Sequence, residues 1–171
     1  LEIKALSIFA AMQDNILIID FGSQYTQLIA RRVREQQVYC EIHPYNSLPD
    51  VADFRGVILS GSPFSVHDEN APEIDFSLFD GKPLLAVCYG SQYIAHTSDG
   101  GKVIPSTIRE YGRAKLSFVD DSNVLCAGVN TDSQVWMSHG DTISQVPDSF
   151  KVILSTPDVS VAGYQVSGSH T

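Results

Sequence analysis

Basic residues are scarce in this chain. Eleven Lys and Arg stand against twenty Asp and Glu over 171 residues, a formal charge of -9. Non-specific attraction to a polyanion such as DNA or an acidic membrane is carried by clustered positive charge, so neither is a first reading here. Cysteine is scarce too. Cys40, Cys88 and Cys126 are an odd number at irregular spacing with no C-x-x-C pair, which argues against a disulfide framework and a zinc ribbon and fits a reducing, cytosolic compartment. No apolar run approaches the ~20 residues of a membrane-spanning helix. Leu1 to Ala11 carry only Lys4 as a positive charge beside a short, mildly apolar stretch, and do not read as a signal peptide. Internal repeats, low-complexity tracts and Pro/Gly/Ser linkers are also lacking, so one domain is expected.

What is present is ordinary globular composition, 43% hydrophobic and 18% charged, in a chain long enough to bury a core. Met12 precedes a polar pair and a strong strand, so Leu1–Ala11 is set aside as an appendage, non-native or disordered, and residues 12–171 are taken as the domain. Ile16 to Asp20 reads as a buried strand, followed by Phe21-Gly22 and an N-cap candidate at Ser23. A helix then carries Leu28, Ile29 and Val33 on one face and Arg31, Arg32 and Arg34 mostly on another. Val38–Ile42, Gly56–Ser60 and Pro83–Val87 read as further strands, and Gln92–His96 as helix up to Asp99-Gly100-Gly101. Strands alternating with helices predict an α/β fold, an open and mostly parallel sheet in three layers with helices on both faces. Beyond Gly101 the pieces Ala114–Val119, Gln134–Met137, Val152–Ser155 and Ser160–Val166 predict an antiparallel β extension and the last strands of the sheet.

Cys88 is the most informative residue. It stands where a buried strand meets a helix, in Ala86-Val87-Cys88-Tyr89-Gly90. A strand–nucleophile–helix elbow needs small residues two before and two after the nucleophile, because the turn is tight, and Ala86 and Gly90 meet that need. The helix N-terminus is expected to lower the thiol pKa. A plain buried core cysteine is the competing reading. Acyl transfer also needs donors for an oxyanion. The amide of Tyr89 and the strand-end turn Gly61-Ser62-Pro63 are candidates, although Gly61 can equally be only a turn.

Five histidines are available as a base. His43 and His67 lie in polar, loop-like stretches and read as solvent-facing, and His96 as a helix C-terminal cation. His170 is penultimate, where chains are often poorly ordered. His139, within Trp136-Met137-Ser138-His139-Gly140-Asp141, is the best local candidate, as base or as substrate contact. None stands out as a partner for Cys88.

Five runs now add up. They are Asn15-Ile-Leu-Ile-Ile-Asp-Phe-Gly-Ser-Gln-Tyr-Thr-Gln-Leu-Ile-Ala-Arg-Arg-Val-Arg34, Gly56-Val-Ile-Leu-Ser-Gly-Ser-Pro63, Val87-Cys-Tyr-Gly-Ser-Gln92, Arg109-Glu-Tyr-Gly-Arg113 and Val135-Trp-Met-Ser-His-Gly-Asp141. In this order they resemble the glutamine amidotransferase domains of GMP synthetases, a class I, triad-type family. The resemblance implies glutamine hydrolysis through a cysteine thioester, with ammonia passed to a synthetase (ATP pyrophosphatase) domain, in the same or a separate chain, that converts XMP to GMP. By that resemblance Cys88 is the nucleophile and Gly61 and Tyr89 give the oxyanion-hole amides. Gln92, Ser138, His139 and Asp141 hold glutamine, and Arg109 and Arg113 face the synthetase domain. No metal or cofactor is implied for this domain. ATP and magnesium serve the synthetase domain, and the full enzyme can form a homodimer.

The sequence departs from the family pattern in three places. Ala86 and Ser62 stand where the family usually has Gly, both small replacements. The His-Pro-Glu motif that supplies the base and its orienting Glu is absent after the strand ending at Val166, so the expectation is a fragment that is largely inactive. A non-catalytic glutamine-binding or docking module of a synthetase complex is the alternative, although the intact Cys88–Gln92 run argues against lost catalysis. Other cysteine-elbow hydrolases normally carry a histidine directly after the cysteine, where this chain has Tyr89.

Overall fold

The computed structural model describes residues 14–168, with the side chains of residues 107–111 and 139 outside the described set. The expected appendage Leu1–Ala11 and His170 lie outside the described residues. The chain divides into two compact units, one comprising the residues up to Pro63 with Pro72–Val87, the other Phe64–Ala71 with the residues from Cys88 onward.

The first unit is a four-stranded parallel sheet in the order β2-β1-β3-β4. Its strands are β1 (Asn15–Asp20), β2 (Tyr39–Pro44), β3 (Gly56–Leu59) and β4 (Leu84–Ala86). Leu17, Ile18 and Ile19 are all wholly buried, as a continuous apolar strand must be when both of its faces are covered. Ile18 lies opposite Ile42 on one side and Ile58 on the other. Helix α1 (Thr26–Glu35) brings Ile29, Ala30 and Val33 onto the cluster of Ile18, Cys40 and Ile58. Its outer face carries Arg31 and Arg32, which reach Glu35 at 3.0 and 2.7 Å. Such exposed pairs contribute little to stability.

The start of α1 differs from expectation. Tyr25, not Ser23, holds the N-cap position, and it makes no side-chain cap. Ser23 Oγ accepts the Tyr25 N–H instead. The Asp20 carboxylate at the strand end takes the Gly22 and Ser23 amides and the Thr26 hydroxyl, so the acid that closes the strand does the capping work. Gly22, at φ +90°, makes that tight turn possible. His43 is also corrected: it lies half-buried in β2 and bonds Glu41 at 2.9 Å.

The second unit holds α2 (Tyr89–Thr97), which begins directly after Cys88 and three residues before the helix start read from the sequence. A long antiparallel ribbon follows, β5 (Lys102–Lys115) on β7 (Gln134–Gln145). A small antiparallel sheet in the order β6-β8-β9 is made by Phe118–Val119, Phe150–Ser155 and Gly163–Val166. Of the short expected pieces, Gln134–Met137 proves to be the start of the longer β7, while Ala114–Val119 divides between the end of β5 and β6, with Leu116 and Ser117 in neither. Pro105, the irregular register between Pro105 and Glu110, and Gly112 at φ +136° interrupt the alternation of β5, and the pairing carries the strand across those breaks. Cys40, Cys88 and Cys126 are free thiols. Among the described residues no helix is long and apolar enough to cross a membrane.

Candidate active site

Cys88 occupies a backbone conformation that L-residues rarely adopt, φ 53° and ψ -114°. A non-glycine residue held there stores about 1–3 kcal/mol of strain, which persists only where the surroundings fix it. The fixing bonds are present on both sides. The Val87 N–H donates to Leu59 C=O at 3.0 Å. The Cys88 C=O accepts the Gln92 N–H at 2.9 Å and the Ser91 hydroxyl at 2.7 Å, which seats it as the residue before the first helical turn. Gly90 is buried within that turn. The strand, the strained cysteine and the helix start are those the sequence implies for a nucleophile elbow.

The thiol is half-buried, and its Sγ donates to the Ser138 C=O at 3.7 Å. Burial pushes its pKa above the ordinary thiol value, the Tyr89 backbone hydrogen bond pulls it down, and the Asp141 charge pushes it up. This corrects the expected lowering by the helix N-terminus. The amide contribution is there, and the loss of water around the sulfur outweighs it. The half-buried Cys88 thiol thus rests against a carbonyl, with its pKa held up by the loss of water.

Around it, Gln92 and Asp141 form a buried bracket. Gln92 Nε2 donates to the Asp141 C=O at 2.8 Å, and Asp141 Oδ2 accepts the Val66 N–H at 3.1 Å. Only 5% of Asp141 is exposed, so its carboxylate needs such partners to stay underground. One strand residue thus ties α2, β7 and the segment Phe64–Ala71 together. Ser138 is exposed and contributes its carbonyl to the thiol.

The remaining candidates are more scattered. His139 pairs with Glu110 along the ribbon, and its side chain lies outside the described residues, as does that of Arg109. Arg113 is exposed, with its guanidinium carbon 5.3 Å from the centre of the Trp136 ring. Gly61 is buried just past the end of β3 in the first unit, while Tyr89, fully buried, opens α2 in the second. Among the described residues, no group of three or more His, Cys, Asp or Glu side chains could hold a metal ion.

Three features escaped the sequence. Val66 supplies the amide that holds Asp141. His67 is exposed, as expected, yet its ring is bound: Nε2 lies 3.1 Å from Val103 O, and the ring stands edge-on to His96 at 5.1 Å. Tyr164 donates its hydroxyl to Ser91 C=O at 2.7 Å. Each pairs residues distant in the chain, and no local pattern announces them.

The family Glutamine amidotransferase class-I matches residues 17–167. A glutamine-hydrolyzing GMP synthase of Cytophaga hutchinsonii is 62% identical over 162 residues, covering 94% of this chain and 32% of that protein. The same enzyme of Christiangramia forsetii is 56% identical over 162 residues, again 94% and 32%. The chain thus spans about a third of the length of these curated relatives. Among solved structures, a GMP synthase subunit protein from Thermoplasma acidophilum superposes with a TM-score of 0.77 at 25% identity, covering 92% of this chain and 80% of that one.

Proposed function

We propose that this chain, which belongs to the class I glutamine amidotransferase family, hydrolyses glutamine through a thioester on Cys88. The observation that carries the reading is the elbow, a cysteine at φ 53° and ψ -114° immediately ahead of a helix N-terminus. The sulfur attacks the carboxamide carbon, a C–S bond forms, and the carbonyl electron pair moves onto oxygen. The amide of Tyr89 is the assigned donor to that oxyanion. The C–N bond then breaks, the nitrogen takes up the thiol's proton, and ammonia leaves. Water attacks the thioester, its hydroxyl passing to the acyl carbon and its proton to sulfur, which releases glutamate and restores the thiol. Gln92, Ser138, His139 and Asp141 are assigned to hold glutamine.

General acid–base help contributes about 10²–10⁴-fold to such chemistry, and no base is assigned among the described residues. Ammonia is then proposed to pass to a synthetase part that uses ATP and magnesium to convert XMP to GMP. Arg31 and Arg32 in the first unit and Arg109 and Arg113 in the second are the assigned contacts to it.

Rapid-quench mass spectrometry of the chain with glutamine tests this. A glutamyl adduct on Cys88, with ammonia released in equal amount, is the expected result. No adduct with no ammonia would sink the thioester. The second reading, a glutamine-binding or docking module without turnover, is favoured by the partial burial of the Cys88 thiol and its hydrogen bond to the Ser138 C=O. It predicts glutamine binding without any adduct.

A further inference from the structure

We propose, resting on the glutaminase reading above, that Tyr164 is a positioning residue whose hydroxyl fixes the first turn of α2, and with it the Cys88 elbow, against β9. The sequence builds this contact at some cost to regularity. The register of β8 on β9 shifts between Val152 and Leu154, and a bulge of this kind re-aims a side chain. Beside it, a Cβ on Gly163 would come within 3.1–3.3 Å of three Leu154 side-chain atoms, so glycine is what lets the strand lie this close. Tyr164 stacks on Phe150, with centroids 5.3 Å apart and planes 15° from parallel.

The hydroxyl then reaches the Ser91 C=O at 2.7 Å, and the Ser91 hydroxyl in turn reaches the Cys88 C=O at 2.7 Å. Two bonds therefore link β9 to the carbonyl of the nucleophile. Burial raises the phenol's pKa, with a backbone hydrogen bond at Ala95 offsetting part of the rise, so it remains a donor at neutral pH. The helix does not require this bond. Ser91 and Ala95 both lie within α2, where the i to i+4 pairing already satisfies that carbonyl, and a carbonyl has a second lone pair to offer. What the hydroxyl adds is a fixed register between β9 and the elbow.

Register matters because reacting atoms must stand about 3–3.5 Å apart, and a slip of about 1 Å costs about 100-fold. The test compares two labels of Cys88 by intact mass. The glutamine analogue 6-diazo-5-oxo-norleucine must be seated in the pocket, whereas iodoacetamide reads only the thiol. Tyr164→Phe keeps the ring and removes the hydroxyl. It should slow the analogue about tenfold, a fraction of the full misplacement cost, while the iodoacetamide rate stays within about twofold. Phe150→Leu removes the stack, keeps the hydroxyl, and should preserve the parent's ratio of the two rates.

Equal rates in Tyr164→Phe and the parent, or equal slowing of both labels, would overturn the positioning role. If the parent itself takes no analogue, the glutaminase reading fails, and amide hydrogen exchange decides the positioning claim. Faster exchange confined to Cys88–Ala95 in Tyr164→Phe supports it, and unchanged or globally faster exchange overturns it.

Discussion

The two units obey different rules. In the first, every strand is parallel, β1 is buried through Leu17, Ile18 and Ile19, and the sheet core is made by Ile, Leu and Val. In the second, the informative residues are exceptions: a cysteine at positive φ, a buried carboxylate, and a tyrosine reaching across 73 residues to a helix carbonyl. The sheet is stabilised by burial that hardly depends on which aliphatic residue is used, while the site depends on single atoms. Substitutions in the buried sheet should therefore be read in stability alone, and those around Cys88 in stability and reactivity together.

The largest effect expected is on the sheet. Ile18→Ala removes a wholly buried side chain from the cluster with Ala30, Cys40 and Ile58, and should lower stability by about 2–5 kcal/mol. Denaturant unfolding measures it, and a change well under 1 kcal/mol would mean that the cluster is not a shared core.

Next comes a trade at the elbow. Cys88→Gly removes the thiol but relieves the positive-φ strain, so it should be more stable than Cys88→Ala by about 1–3 kcal/mol. Thermal unfolding of the pair decides this. Equal midpoints would say that the elbow stores no strain.

A subtler effect concerns pH. Burial and the Asp141 charge hold the Cys88 pKa above the ordinary thiol range, so the folded state binds that proton more tightly than the unfolded state does. The associated stability is present below the unfolded thiol pKa and is lost as pH rises through the folded value. Asp141→Asn keeps an acceptor for the Val66 amide and removes the charge. The pH at which iodoacetamide alkylates Cys88 at half its maximal rate should therefore fall. A midpoint that stays put or rises would remove Asp141 from the list of causes.

The smallest effect is at the surface. Arg113→Ala loses an exposed guanidinium and its place over Trp136, a contact worth about 0.5–1 kcal/mol at an exposed site, and should leave analogue labelling of Cys88 unchanged. A loss of labelling would make Arg113 part of the pocket.

The same contrast governs what could be read from residues alone. β1, β3 and α1 were legible because their apolar spacing is set by burial on known periods, and the Cys88 elbow because small residues flank it. The long ribbon was legible only in fragments, since Pro105 and Gly112 break the alternation that marks a strand. The direction of the Cys88 pKa shift runs against the helix N-terminus. Sequence reveals a helix N-terminus but not how much water the sulfur loses, nor that a buried Asp141 lies close enough to act on it. The bonds from Val66 to Asp141 and from Tyr164 to Ser91 exist only after folding.

The central claim is that Cys88 is the nucleophile of an assembled glutamine site. Intact-mass analysis after 6-diazo-5-oxo-norleucine, on this chain and its Cys88→Ala variant, tests it most directly. The account predicts a single adduct on the parent and none on the variant. An unlabelled parent, or an adduct that survives in Cys88→Ala on Cys40 or Cys126, would contradict it.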